Sequence, residues 1–293
     1  MKKIYILLIA VLLGGIANAQ NWQSVGPNCI NMPSQKGNGS YSMAISNNGT
    51  PFVFIQESYN YFIKNSVRKF DGTNWINVGN PNFSSTYYSS NRAIAIDNNG
   101  NPLVAFSENI SGDVKVMKYN GNTWDYLGTP GFSCVYNDIF PMVIDNNGIP
   151  YIAFNDNTNN KRISVKKYNG TNWVYVGNAG FSAGSAEYLS LKLDVNGIPY
   201  IAYRDNANYY KASVMKFNGS NWVNVGNAGF SDGNVFYTSI TIDTSGTPFV
   251  VYKDSINNNK ATVKKYNGNS WVNVGNEGSV SYAVNSTSIV SAI

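Results

Sequence analysis

The stretch EYLSLKLDVNGIPYIAYRDNANYYKASVMKFNGSNWVNVG, residues 187–226, reads as four short strands separated by turn chemistry. Tyr188 to Asp194 alternates Leu189, Leu191 and Leu193, the period of two of a half-buried strand. It ends in Asp194-Val195-Asn196-Gly197, a turn signature, because Asp and Asn bond nearby backbone amides and Gly supplies positive φ. Pro199 to Tyr203 is apolar throughout, as expected of a strand covered on both faces. Ala212 to Phe217 runs into Asn218-Gly219, a strong short-range hairpin signal, and Trp222 to Val225 closes the unit. No helical period competes with these strands.

The unit recurs. Trp stands at 22, 75, 124, 173, 222 and 271, a spacing of 53 once and then 49 four times, and these are all the tryptophans in the chain. Each is followed by an apolar residue and Gly at the third and fourth positions: Val25-Gly26, Val78-Gly79, Leu127-Gly128, Val176-Gly177, Val225-Gly226 and Val274-Gly275. A period in the range of about 20–50 residues marks stacked supersecondary units. Four antiparallel strands per period, with a different loop each time, predict an all-β fold, a β-propeller of four-stranded blades. A β-sandwich has no reason to repeat its side chains at a fixed interval.

The pattern Ser-Ile-Thr-Ile-Asp-x-x-Gly-x-Pro-Phe-Val-Val-Tyr-x-Asp at 239–254, followed by Thr-Val-Lys-Lys-Tyr-Asn-Gly at 262–268, resembles NHL-type propeller blades. It is also similar to the tandem repeats of secreted bacterial propeller proteins and, more remotely, to tachylectin-type lectin propellers. The resemblance covers residues 22–293 and speaks to fold, since such relatives bind many different things. If the Trp strand is outermost, as in those repeats, Trp22 to Val25 is a lone outer strand. Complete blades then span about 40–79, 89–128, 137–177, 186–226 and 235–275, with a partial blade in 276–293 where Ser286 onward aligns with a first strand. Five complete blades plus an incomplete sixth is the expected count, and a closed five-blade ring is the alternative.

Residues 1–19 read as a cleavable export signal: Lys2-Lys3, an apolar run from Ile4 to Ile16, then Ala17-Asn18-Ala19, with cleavage expected between Ala19 and Gln20. The repeat domain is then 20–293, and no other stretch approaches the ~20 apolar residues of a membrane span. The short Met-Lys-Lys start suits a bacterial protein of the periplasm, cell surface or exterior. Cys29 and Cys134 are the only cysteines and occupy non-equivalent repeat positions, so a bridge would need a geometry the repeat does not supply. The formal charge is +5, falling to 19 basic against 16 acidic residues without Lys2 and Lys3, and no basic run argues for nucleic acid.

Recurring residues have structural roles first. The tryptophans at 22, 75, 124, 173, 222 and 271 are expected to fill the seams between blades. Asp97, Asp145, Asp194 and Asp243, with Ser46 in the first copy, precede x-Asn/Ser-Gly and are expected to hold turns rather than metal. Lys69, Lys118, Lys167, Lys216 and Lys265 are expected to pack their stems and leave the ammonium in solvent. A second acidic series, Glu57, Glu108, Asp156, Asp205 and Asp254, lies six residues after each Pro of the second strand. These residues either cap their own loops or form a circle of carboxylates on one face, where they would bind a polar ligand.

The loops expected on that face vary between copies and contain Tyr59, Tyr61, Phe62, Tyr87, Tyr88, Tyr136, Tyr209 and Tyr210, with Arg204 among them. Aromatic plates beside amides and carboxylates suit sugar rings or peptide segments. An equal alternative is that they merely cover the blade ends.

Catalysis finds little support. The chain has no His, which removes Ser-His and Cys-His nucleophiles and the commonest metal ligands. The acids that break the repeat, Asp71, Asp113, Asp125, Asp138, Glu187, Asp232 and Glu277, look scattered and unpaired. The sialidase Ser-x-Asp-x-Gly-x-Thr-Trp box is absent. The expectation is a non-catalytic, cofactor-free binding propeller for glycan or protein. The alternatives are a scaffold module within a larger exported protein and, further off, a carboxylate-pair glycoside hydrolase.

Overall fold

The computed structural model describes residues 25, 41–59, 62–84, 92–108, 113–129, 131–134, 140–278 and 282–290. The export signal, Trp22, Cys29, Tyr61, Tyr87, Tyr88 and Tyr136 lie outside them. The described residues form two compact units, one from Asn18–Ile152 and Lys166–Val174, the other from Ala153–Val165 and Tyr175–Ile293.

In the first unit, one sheet is β1 (Ser42–Ile45), β2 (Pro51–Tyr59), β3 (Phe62–Phe70) and β4 (Trp75–Asn77). The second sheet is β5 (Arg92–Ile96), β6 (Pro102–Glu108), β7 (Asp113–Tyr119) and β8 (Trp124–Tyr126), and a short β9 (Phe132–Ser133) pairs with β7 as a fifth strand. The division runs through the third sheet: β10 (Met142–Ile144), β11 (Pro150–Asp156), β12 (Arg162–Tyr168) and β13 (Trp173–Tyr175). In the second unit, the fourth sheet is β14 (Ala186–Leu193), β15 (Pro199–Asp205), β16 (Lys211–Phe217) and β17 (Trp222–Asn224). The fifth is β18 (Val235–Ile242), β19 (Pro248–Asp254), β20 (Lys260–Tyr266) and β21 (Trp271–Asn273). Each sheet runs in sequence order, so among the described residues the fold is all-β, five sheets of four-stranded blade type.

Local chemistry explains the blade. Second strands open on Pro51, Pro102, Pro150, Pro199 and Pro248, the strand position where a missing N–H costs least. In the third, fourth and fifth sheets they are the most buried strands; in β11 every residue is buried. The turn before each is held as the sequence suggests. Asp194 Oδ1 accepts from the amides of Asn196 and Ile198, both at 2.9 Å, and Asp97, Asp145 and Asp243 do the same in their turns. The lysine expectation needs one correction. Lys118 does not leave its ammonium in solvent but pairs with Asp97 at 2.8 Å, because the third strand runs beside that turn.

The Trp-x-x-apolar-Gly motif builds the seam between successive sheets. In the second unit the indole N–H of Trp222 donates to the Val176 carbonyl and that of Trp271 to the Val225 carbonyl, each at 2.7 Å. In the first unit Trp124 donates to Val78 at 2.9 Å, Trp173 to Leu127 at 2.7 Å and Trp75 to Val25 at 3.3 Å. At Gly79, Gly128, Gly177 and Gly226 the missing side chain lets the next indole approach: a Cβ on Gly177, at φ +73°, would lie 3.2 Å from Trp222 Cδ1 and 2.9 Å from Phe217 Cε2. Trp222 stacks on Phe181 at 4.2 Å and Trp271 on Phe230 at 4.3 Å between centroids. Apolar side chains of two sheets fill the space behind, as Ala202, Val214, Ile240, Val250 and Tyr252 do in the second unit.

First strands also meet across the seam, and residues 286–289 join that series. Thr238 donates its hydroxyl to the Tyr188 carbonyl and Ile240 its amide to Ser190 Oγ. One period later Thr287 donates to the Tyr237 carbonyl and Ile289 to Ser239 Oγ, with Ile289 buried against Val251, Ala261 and Val263. The segment therefore sits on the fifth sheet where a sixth blade's first strand would.

Candidate functional site

Three of the five repeating acids are described with their side chains, and all three turn inward. Asp156, Asp205 and Asp254 end β11, β15 and β19 and are 1%, 1% and 3% exposed. Asp205 accepts from the Ala207 amide (3.1 Å), Asn208 Nδ2 (2.8 Å) and Ser213 Oγ (2.7 Å), which winds residues Asn206–Asn208 into a single 3₁₀ turn. Asp254 makes the same three bonds to Ile256, Asn257 and Thr262. Asp156 accepts from Thr158, Asn159, Ser164 and Tyr175. Burial pushes the Asp156 carboxyl up, but the bonds from Thr158, Ser164, Asn159 and Tyr175 outweigh it and hold the group below its usual range. The circle of ligand-facing carboxylates is thus corrected for these three: a loop that must satisfy its own amides consumes both oxygens. Glu57 and Glu108 lie on β2 and β6, paired with Lys64 and Asp113 across the ladder, and Tyr59 ends β2.

The loop end of the fourth sheet gathers a different set. Glu187 and Arg204 are direct cross-strand partners on β14 and β15. Arg204 Nη1 donates to Glu187 Oε2 at 2.7 Å and Nε to Asn234 Oδ1 at 3.1 Å. Asn206 reaches Ser185 Oγ at 3.0 Å and Glu187 Oε1 at 3.4 Å. The Arg204 guanidinium carbon lies 4.5 Å from the Tyr210 ring centroid, 4.6 Å from that of Phe236 and 6.0 Å from that of Tyr188. The Arg204 side chain is 12% exposed and that of Glu187 41%, while Tyr209 stands 85% exposed.

Backbone strain is concentrated at this end. Tyr209 and Tyr210 both lie in the left-handed region, at φ 56° and 61°. The equivalent pairs are Asn160-Lys161 and Asn258-Asn259. Asn tolerates that conformation cheaply and Tyr does not, so the fourth sheet holds two aromatic rings outward at a local cost. Tyr188 and Tyr237, each at φ 52°, occupy β-bulges in β14 and β18 that re-aim their side chains, and their rings lie 4.8 Å apart. Burial, then neighbouring Tyr237 and Glu187, raise the Tyr188 phenol above its ordinary value, keeping it a neutral donor.

Among the sequence candidates, the structure brings Arg204 and Tyr210 together, with Tyr209 adjacent, and it adds Glu187, Tyr188, Asn206, Asn234 and Phe236. The apparent scatter of the repeat-breaking acids is corrected here as well. Glu187 pairs with Arg204, and Asp232 and Glu277 converge on Lys264 at 3.2 and 3.7 Å. Both pairings join residues remote in sequence, which spacing alone does not reveal. Cys134 is buried. Among the described residues no group of three or more His, Cys, Asp or Glu side chains could hold a metal ion. A concavity of about 460 Å³ at the turn end of the first sheet is lined by Asn48 and Asp71 from turns and Lys69 and Ile76 from strand ends, without a convergent polar set.

An Arg–carboxylate pair presents donors and acceptors side by side. The guanidinium has five N–H donors, of which two are bonded among the described residues, leaving donors to offer a ligand. Flanking rings supply flat apolar surface. That combination matches a polyhydroxylated ring, whose hydroxyls need both donor and acceptor while its C–H face stacks on an aromatic.

No protein-family model matches the sequence, and no curated protein matches it. Solved structures do. A lectin of Aleuria aurantia in complex with Fucα1-6GlcNAc is 13% identical, with a TM-score of 0.58 over 87% of this chain and 85% of that one. The SapL1 lectin in complex with α-methyl fucoside is 14% identical, with a TM-score of 0.57 over 84% and 82%. An ulvan lyase is 13% identical, with a TM-score of 0.54 over 85% and 72%. At these identities the likeness establishes the fold and no more: the chain is built of four-stranded β-propeller blades.

Proposed function

We propose that the chain is a non-catalytic carbohydrate-binding propeller whose binding seam lies between the fourth and fifth sheets. The carrying observation is Arg204, paired with Glu187 and flanked by the rings of Tyr210 and Phe236. Tyr209 and Tyr188 extend the aromatic surface, and Asn206 and Asn234 orient the ion pair. The lectins with similar blades support this reading through fold alone. Export directed by residues 1–19 belongs to the same reading, and mature protein beginning at Gln20 would agree with it. Among the described residues no helix is long and apolar enough to cross a membrane. Probing an array of immobilised glycans with the full chain tests the proposal. Saturable, sugar-competed binding supports it, and an array without signal contradicts it.

A further inference from the structure

We propose, resting on the carbohydrate reading above, that the sugar bound at this seam carries an anionic group, a carboxylate or a sulfate ester, which Lys253 recognises. Phe236 and Lys253 face each other across β18 and β19 at the same pair of positions that Glu187 and Arg204 occupy on β14 and β15, one period of 49 residues earlier. Two neighbouring sheets therefore present one continuous stripe: an acid and a guanidinium, then an aromatic ring and an ammonium.

Phe236 joins the two halves. Its centroid lies 4.6 Å from the Arg204 guanidinium carbon and 5.8 Å from Lys253 Nζ. The two cationic centres are thus no more than about 10 Å apart, whichever sides of the ring they occupy, the span of a disaccharide. Lys253 Nζ also lies 5.9 Å from the Tyr237 ring.

The charges do not cancel. Glu187 is engaged by Arg204, Asp205 and Asp254 are buried in their own loops, and Asp232 pairs with Lys264. Among the described residues no carboxylate pairs with Lys253, so two cations face one acid across an aromatic floor. Lys253 is a half-buried residue with the rings of Phe236 and Tyr237 near its ammonium, and that ammonium gains a charge-assisted hydrogen bond when an anion arrives. A neutral sugar leaves it as it was. Discrimination between acidic and neutral sugars follows from that single contact.

The test uses the full chain and matched oligosaccharides. One set ends in glucuronic or galacturonic acid, a second in the carboxyl-reduced glucose or galactose counterparts, and a third in sulfated galactose. An acidic member binding about tenfold more tightly than its neutral match, the equivalent of one good ionic contact, is the expected result. The preference should shrink in high salt and disappear in Lys253→Gln. The acidic and sulfated arms separate carboxylate from sulfate recognition. Equal binding of acidic and neutral members, or a preference that survives Lys253→Gln, overturns this inference and leaves the carbohydrate reading standing. No binding by any set overturns both.

Discussion

The indole N–H of Trp222 donates to the backbone carbonyl of Val176, 2.7 Å away and 46 residues earlier. The bond explains why Trp and the apolar-Gly dipeptide recur together. One repeat contributes the ring and the previous one contributes the acceptor and the gap, so neither half is useful alone.

Trp222→Phe keeps a ring against Phe181 but leaves the Val176 carbonyl without its donor, and should cost about 1–2 kcal/mol. Trp222→Ala also opens a cavity and should cost ~3–5 kcal/mol. Urea denaturation of both variants checks the order.

Gly177 and Gly197 both sit at positive φ, 73° and 76°, but a Cβ on Gly177 would strike Phe217 and Trp222 whereas one on Gly197 meets nothing within 4 Å. Gly197→Ala should lose roughly 1 kcal/mol from backbone strain, and Gly177→Ala a further 1–3 kcal/mol from overpacking. Equal melting temperatures would contradict the seam geometry.

Asp156 is depressed in the folded chain relative to its usual 3.8. Its contribution to stability is therefore complete above that value and is lost as pH falls through the lower, folded value. Asp156→Asn should flatten the acid side of the stability curve while lowering stability at neutral pH, readable in thermal melts from pH 7 to about pH 2.

Replacing Tyr209 and Tyr210 together by Asn, the residue at the equivalent positions 258 and 259, relieves left-handed strain. Stability should rise by about 0.5–1 kcal/mol while glycan binding falls. Loss of stability would mean that the tyrosines only cover the blade end.

The blade was legible because it rests on local, repeated chemistry: Asp194 to Gly197, Pro199 and Trp222 announce a turn, a strand start and a seam wherever they recur. The site was legible only in part. Arg204 and Tyr210 stand out as departures from the repeat, but Glu187 joins them through cross-strand register and Phe236 through a neighbouring sheet. A β-bulge at Tyr188 sets that register, and its positive φ leaves no mark in composition. The acids Asp156, Asp205 and Asp254 left two readings open because regular spacing is what a loop cap and a ligand circle have in common. Burial separates the two, and spacing does not report burial.

Titrating the full chain and Arg204→Ala with the glycan that binds most strongly, by calorimetry with thermal melts in parallel, bears most directly on the seam as a sugar site. Glu187 is partly exposed and can be hydrated when its partner is lost, so the chain should still fold, at a melting temperature lowered by the lost packing of the Arg204 side chain on Tyr210 and Phe236. At least about a tenfold loss of affinity, near 1.4 kcal/mol, measured where the variant is fully folded, is the expected result. Undiminished affinity in the variant would contradict it.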